Sequence, residues 1–495
     1  MIAERIPLEP VGWGLRPHVP SSYGPEEAAR GLRFPAERRA RLLQALRNQG
    51  QENSAAWAKL ALPEAVTVTT GQQIGLGLGP LYTVLKIADT MALARALEMH
   101  LKVPVVPVFW MATEDHDAQE INHVWHGNQK ISHRVVPAQH SVGPLPASQA
   151  LPALHDLQES VQGTDAERIA EAWSQIYAQA ATLAEAVRTL VFRYFDSNEL
   201  LVLDPMDLDL KRSFSPVLVQ EAQDSVLLTA WQQTRNAQPN FSGSPIEPQR
   251  FNAFVWNEAG ERRYPTAGVD PVALAQDHPE TCSPNALLRP FYQEFILPNV
   301  AYVGGPGEAV YWSQLPLAFA AFGIPFPVFK RRSGATWLSP KGRRAWQKAG
   351  LAWSEVPVAP ISGREELQKA AEVALEKAWS EWQIPMEQGF KQLEAISGRM
   401  DPTLLALSAA WKAKMDREKL RWEEHARRWA AKSLEAADLR LEMLQREAYP
   451  QGTPQERVWS ALWAESQAGV HFATDLTNQL DAWKSEHLIW VDAWT

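Results

Sequence analysis

Between Thr113 and Asp117 the chain places three carboxylates and an imidazole in five residues: Glu114, Asp115, His116 and Asp117, with Asn122 and His123 just beyond. Crowded carboxylates raise one another's pKa, and an imidazole accepts or donates a proton near neutrality. Such a cluster suits a general base that deprotonates an attacking amine, or an anchor for a substrate ammonium, so Glu114, Asp115, His116 and Asp117 are the catalytic candidates. A hydrogen-bonded helix cap is the competing reading for Asp117. Five of the 12 histidines lie between His116 and His140. Their spacing fits no compact zinc signature, and no metal centre is expected.

A glycine-rich stretch is the second candidate. Thr69-Thr70-Gly71-Gln72-Gln73 leads through Gly75, Gly77 and Gly79 to Pro80-Leu81-Tyr82-Thr83 and Lys86. Glycines let a backbone approach a ligand closely, and a helix N-terminus offers free N–H groups to anions. No Gly-Lys-Ser/Thr follows, so this is not a Walker A loop, nor is it a clean dinucleotide fingerprint. A third glycine run, Gly304-Gly305-Pro306-Gly307-Glu308, follows Tyr302-Val303. Ser283-Pro284-Asn285 with Arg289 is a fourth candidate, and the basic cluster Lys330-Arg331-Arg332, able to neutralise carboxylate or phosphate oxygens, is a fifth.

These groups need a scaffold that aims them at one place. Ala65–Thr70 is β-branched and apolar. The glycine loop and a helical stripe from Leu81 to Met99 follow, and then a second apolar strand, Val103–Trp110. Strand, loop, helix and strand within about 45 residues make one βαβ unit and a parallel sheet. Leu200–Asp204, Val300–Val303 and Ile324–Phe329 read as further strands. The assembly expected is an α/β doubly wound parallel sheet, with four candidates at strand C-termini facing one crevice. Residues 1–60 read as a helical lead-in and 61–340 as the core. Insertions are expected at about 141–198, helical, and 236–281, where Phe251–Tyr264 alternates around a turn like a hairpin. From Thr403 to Glu447 the chain has no Pro or Gly, and Met415, Trp422, Trp429, Ala436 and Met443 recur every seven residues. That predicts a helix about 65 Å long with one packing seam, within a helical coiled-coil region at 363–447 where Pro385 and Pro402 act as breaks. Residues 453–495 are expected to return and pack on the body.

Composition bounds the function. The chain has 495 residues, 45% hydrophobic and 21% charged, with a net charge of −9. This excludes global disorder and gives no bulk attraction to nucleic acid or anionic membrane. Cys282 is the single cysteine, so there is no disulfide scaffold. The longest uncharged run, Ala309–Phe329, is interrupted by three prolines and is not a spanning helix, and the N-terminus shows no apolar signal core. A soluble, cytoplasmic protein is expected.

Thr70-Gly71-Gln72-Gln73 with Gly79-Pro80-Leu81-Tyr82-Thr83 and Lys86, Pro107–Ala112 with Glu114–Asp117 and Ile121-Asn122-His123, Leu288-Arg289-Pro290 and Tyr302–Glu308 together resemble the bacillithiol synthase family (BshC). The similarity spans essentially the whole chain; the chain departs from the family at Gly77 and in a Trp-rich helical region. The resemblance implies a Rossmann-like core related to nucleotidylyltransferases, two connecting-peptide insertions and a coiled coil that supports a homodimer. It implies the last step of bacillithiol biosynthesis, joining the carboxyl of cysteine to the amine of glucosaminyl-malate. Amide formation from a free carboxylate needs activation, so ATP or another nucleotide is expected as cofactor, with Mg. Gly71, Gly79, Thr83, Lys86, Gly304, Gly305 and Gly307 would hold it. Thr70, Gln72, Gln73, Tyr82, Asn122, His123, Asn285, Arg289 and Arg331 would bind substrate. Another nucleotidyl-transferring or acyl-adenylating enzyme, or a non-catalytic coiled-coil scaffold, is the alternative.

Overall fold

A computed structural model describes residues 2–8, 24–126, 129–133, 140–237, 246–257, 259–266, 268–349 and 364–491. In chain order the strands are β1 (Ile2–Pro7), β2 (Val66–Gln72), β3 (Val105–Met111), β4 (His123–His126), β5 (Gln129–Ser132), β6 (Leu201–Leu203), β7 (Ala253–Trp256), β8 (Arg262–Arg263), β9 (Cys282–Pro284), β10 (Asn299–Gly304), β11 (Val328–Arg331), β12 (Gly334–Leu338) and β13 (Glu486–Val491). The chain divides into two compact units, Met1–Thr336 with Thr453–Thr495, and Trp337–Gly452.

The first unit is built on a five-stranded parallel sheet in the order β11-β10-β2-β3-β6. Its central strands are buried along most of their length because both faces are covered. Val66, Val68, Val105, Val300 and Val303 pack one way, with Leu93 and Leu97 of the helix Tyr82–Leu101. Val106, Val108, Trp110, Leu201 and Tyr302 pack the other way, against Phe291, Trp312 and Phe319. The chain leaves β2 toward β3 and β6, then returns on the other side of β2 as β10 and β11. The order therefore reverses between β2 and β10, and ligands of doubly wound sheets bind beside such a reversal.

The expected strands lie where their residues placed them, shifted by a few positions at the ends. The N-terminal region differs from the helical expectation. Its helices Pro25–Gly31, Ala36–Asn48 and Ala55–Leu60 are preceded by β1, which pairs antiparallel with β13 near the opposite end of the chain. A partner more than 480 positions away leaves no local pattern. In the region expected to be an insertion, Phe251–Tyr264 contributes the antiparallel strands β7 and β8, and β9 pairs on the other side of β7. The helices Leu151–Ser160, Ala166–Gln179 and Leu183–Tyr194 occupy the other one.

In the second unit two long helices, Arg364–Met400 and Pro402–Ala448, pack along each other. Trp379 meets Trp422 edge-on at 4.8 Å, and Phe390 meets Trp411 at 5.9 Å. Pro402 starts its helix, where a missing N–H costs nothing. Pro385 does not break its helix as expected. A proline forfeits one backbone hydrogen bond, and a long helix held along its length by a partner absorbs that loss. Gly363 and the side chains of Trp429 and Ala436 lie outside the described residues.

Gly77 sits at φ 65° in a short turn, Leu76–Leu78. A Cβ there would stand 2.1 Å from Cζ3 of the buried Trp173. The glycine at this position is thus matched to a tryptophan ring that needs the space. Gly77→Ala is expected to lose about 1–3 kcal/mol through overpacking and left-handed strain. Urea unfolding measures it, and an unchanged midpoint would contradict this packing.

Candidate functional site

A cleft of about 810 Å³ opens at the C-terminal edge of the parallel sheet. Its floor comes from the ends of the two strands flanking the reversal: Gly71 and Gln72 at the end of β2 with Gln73 just past it, and Gly305, Gly307 and Glu308 after β10. Its acidic side is Asp115, Asp117 and Glu120. Its basic side is Arg289, Arg332 and Arg457. A smaller cavity of about 240 Å³ adjoins it, sharing Asp115, His116 and Arg289 and adding Glu114, Arg262 and Asn285.

Glu308 organises the floor. Its carboxylate accepts from Lys86 Nζ at 2.6 Å, Tyr302 OH at 2.6 Å and the Gly305 N–H at 2.7 Å. Burial works against ionisation here, but these donors outweigh it and hold the carboxyl below its ordinary range. Lys86 Nζ also donates to the Gly71 carbonyl at 2.6 Å and to Gln72 Oε1 at 3.2 Å. An ammonium has three protons, and all three have acceptors. Lys86, expected to hold phosphate, has no donor to spare and serves as the buried tie between two loops.

Asp115 accepts from Gln73 Nε2 at 2.9 Å and from the His116 N–H at 2.8 Å. Burial pushes its carboxyl up, but Gln73 and the guanidinium groups of Arg262 and Arg289 bring it below the usual carboxylate range. Arg262 donates to His116 Nδ1 at 2.9 Å, to Ser283 Oγ at 2.9 Å and to the Pro284 carbonyl at 2.9 Å. A guanidinium only donates, so Nδ1 is the acceptor and the ring carries its proton on Nε2. His116 is therefore set as a donor, contrary to the expectation of an imidazole base. Glu120 stands on the exposed rim of the cleft. The protein around its carboxyl nonetheless raises it above the ordinary range, against a hydrogen bond from Gln73 and with help from Asp117 and Asp115. Asp117 accepts from the Gln119 and Glu120 N–H groups as the cap of the short helix Ala118–Ile121.

The structure brings Gly71, Gln72, Gln73, Tyr82, Lys86, Asp115, His116, Asp117, Arg289, Gly305 and Gly307 to one cleft, with Glu114 and Asn285 in the adjoining cavity. Gln72 Nε2 donates to Tyr82 OH at 3.1 Å. Glu114 is buried in an ion pair with Lys211, and Asn285 Oδ1 caps the turn at Leu287 and Leu288.

Other candidates lie elsewhere. Thr70 is buried and donates to the Val303 carbonyl at 2.7 Å, tying two strands. The glycine loop turns away from the cleft: Gly79 lies 3.5 Å, at its Cβ position, from Ser460, and Leu81 N–H donates to the Trp459 carbonyl at 2.6 Å. Gly79 and the buried Thr83 do not line the cleft. Gly304 is a glycine because a Cβ would stand 2.4 Å from Phe329. Asn122 and His123 lead into the β4–β5 hairpin, with His123 Nδ1 3.1 Å from the Gln119 carbonyl. Arg331 lines a separate apolar cavity of about 480 Å³ with Leu93, Trp312 and Trp483. It is the next residue, Arg332, that faces the cleft, because neighbours on a strand end point to opposite sides. Glu120, Arg262, Tyr311 and Arg457 were missed. Glu120 is three residues past the acidic cluster and was within reach of the same reasoning. Arg262 and Arg457 are distant in sequence and carry no local signal.

A parallel doubly wound sheet with its cleft at the reversal, joined in one chain to a long helical hairpin, is the class of protein defined here. Residues 26–267 and 271–333 match the N-terminal Rossmann-like domain of bacillithiol biosynthesis BshC, and residues 335–491 match the C-terminal coiled-coil domain of the same family. The chain belongs to the bacillithiol biosynthesis BshC family. A relative from Solibacter usitatus named "Putative cysteine ligase BshC" is 28% identical over 94% of this chain and 92% of its own length. Relatives with the same name are 28% identical in a Geobacillus species, over 87% and 85% of the two chains, and 34% identical in Cytophaga hutchinsonii, over 55% and 54%. Among the described residues no helix is long and apolar enough to cross a membrane, and no three His, Cys, Asp or Glu side chains group as a metal site.

Proposed function

We propose that this chain is a cytoplasmic cysteine ligase that joins the carboxyl of cysteine to the amine of glucosaminyl-malate, the last step of bacillithiol biosynthesis. The observation that carries this is family membership across both domains, with a cleft of the right chemistry at the sheet reversal. An amide-forming site needs an anchor for an ammonium, a base to take its proton, a donor for the developing oxyanion and cations for substrate anions. Asp115, held ionised, is the anchor. Glu120, on the cleft rim with its carboxyl raised by desolvation, is the base. His116 presents Nε2–H to the carboxyl oxygen on which charge develops. Arg289 and Arg332 face substrate carboxylates or phosphates.

A nucleotide fits the cleft on three observations: its volume, the open space at Gly307 where a Cβ would meet nothing within 4 Å, and the guanidinium-rich wall. ATP, or another nucleotide, supplies the leaving group that carboxyl activation requires. Gly305, Gly307, Arg332 and Arg289 would hold its phosphates, and Asp117 is the carboxylate that would be available to Mg.

Cells lacking this protein are expected to accumulate glucosaminyl-malate and contain no bacillithiol. Returning the wild-type gene restores the thiol. Glu120→Gln and Asp115→Asn are expected to slow its formation about 10²–10⁴-fold at normal protein levels. Thiol analysis reads this, and unchanged bacillithiol in the deleted cells would sink the ligase assignment.

The second unit supports a homodimer. Trp382, Leu407, Trp411, Leu420 and Trp422 are exposed on the two long helices, more apolar surface than a solvated hairpin carries. A second copy of the same hairpin is the partner of matching chemistry. Sedimentation is expected to show a dimer at micromolar concentration; a monomer at every concentration would overturn it.

A further inference from the structure

Arg457 belongs to the stretch that the family division counts with the coiled coil, yet in this chain it lines the cleft on the parallel sheet. Its guanidinium carbon lies 5.8 Å from the centroid of the Tyr82 ring, and that of Arg332 lies 5.1 Å from the same centroid. The two cations thus lie near one aromatic ring. Arg332 is buried and anchored: it donates to Glu456 Oε1 at 2.6 Å and to the Ser333 carbonyl at 2.9 Å. Glu456 in turn accepts from the Ala335 N–H at 2.8 Å, so the residue just before Arg457 is locked to the sheet. Arg457 itself is exposed and has no ion pair or hydrogen bond through its side chain among the described residues. Glu456 is committed to Arg332, and Arg457 has no carboxylate of its own among the described residues. The Arg457 guanidinium stands at the cleft wall near the Tyr82 ring with its N–H groups open to an acceptor.

We infer that Arg457 and Arg332, both beside the Tyr82 ring at the cleft wall, form an anion subsite, contributed in part by the returning C-terminal segment. Its ligand is a group with two or more anionic oxygens. In the ligase reading, on which this inference rests, such groups come from two sources: the malate carboxylates of the sugar substrate and the phosphates of the nucleotide. Two planar guanidinium forks suit either, because each pairs two N–H donors with two oxygens.

The test is calorimetric titration of the full chain with L-malate and, separately, with ATP and Mg, comparing wild type with Arg457→Gln. Arg457 is exposed and bonded to nothing, so the variant folds. A loss of about tenfold or more in affinity for one of the two probes supports the subsite and names the source; losses for both support a site that both reach. Wild-type affinity for both probes in Arg457→Gln overturns the subsite and leaves the ligase reading standing. A wild-type chain that binds neither probe overturns both.

Discussion

The cleft depends on one partly buried carboxylate. Glu308 accepts from Lys86, from Tyr302 and from the amide of Gly305. Through Lys86 it reaches the Gly71 carbonyl at the end of β2, and through Gly305 it fixes the start of the helix after β10. The loops on both sides of the sheet reversal are thereby set by one ion pair. Without it, two strand ends carrying unpaired polar groups would diverge at the place where a ligand must be held. A buried pair of this kind is a weak source of net stability, since desolvation offsets most of its attraction. Its contribution is to make a single arrangement of the floor preferable to others.

On that floor the chain separates charge. The acidic side comes from a short stretch after β3, so its geometry is local: Gln73 and Arg262 hold Asp115 and His116 from either side. The basic side is assembled from three distant places, Arg289 before β10, Arg332 after β11 and Arg457 in the C-terminal return. An amine nucleophile and an anionic co-substrate need opposite surroundings, and the cleft lining supplies both, with Arg289 close enough to Asp115 to help hold it ionised.

The parallel core was legible because each strand is an apolar run ended by glycine, proline or charge, and because a buried parallel sheet writes itself as such runs. The acidic cluster was legible for a related reason, lying directly past a strand. The glycine loop misled. Gly75, Gly77 and Gly79 look like a phosphate cradle, but they are needed for close packing, Gly77 by Trp173 and Gly79 by the returning Ser460. Lys86 looked like a free cation, and only the fold shows its three acceptors. Strand parity decided between Arg331 and Arg332, and a pattern in sequence does not reveal which of two adjacent basic residues a strand end turns inward. Arg262 reaches His116 across 146 positions, and β1 finds β13 from the other end of the chain; such pairings exist only in three dimensions.

A double-mutant cycle on Lys86 and Glu308 tests the central constraint most directly. Removing one partner leaves the other charged, buried and unpaired, so Lys86→Met alone is expected to cost about 3–5 kcal/mol in denaturant unfolding. Lys86→Met combined with Glu308→Gln is expected to cost less than the sum of the single changes, with a coupling of about 0.5–3 kcal/mol. Strict additivity of the two changes would show that the pair does not hold the cleft floor together and would contradict the account.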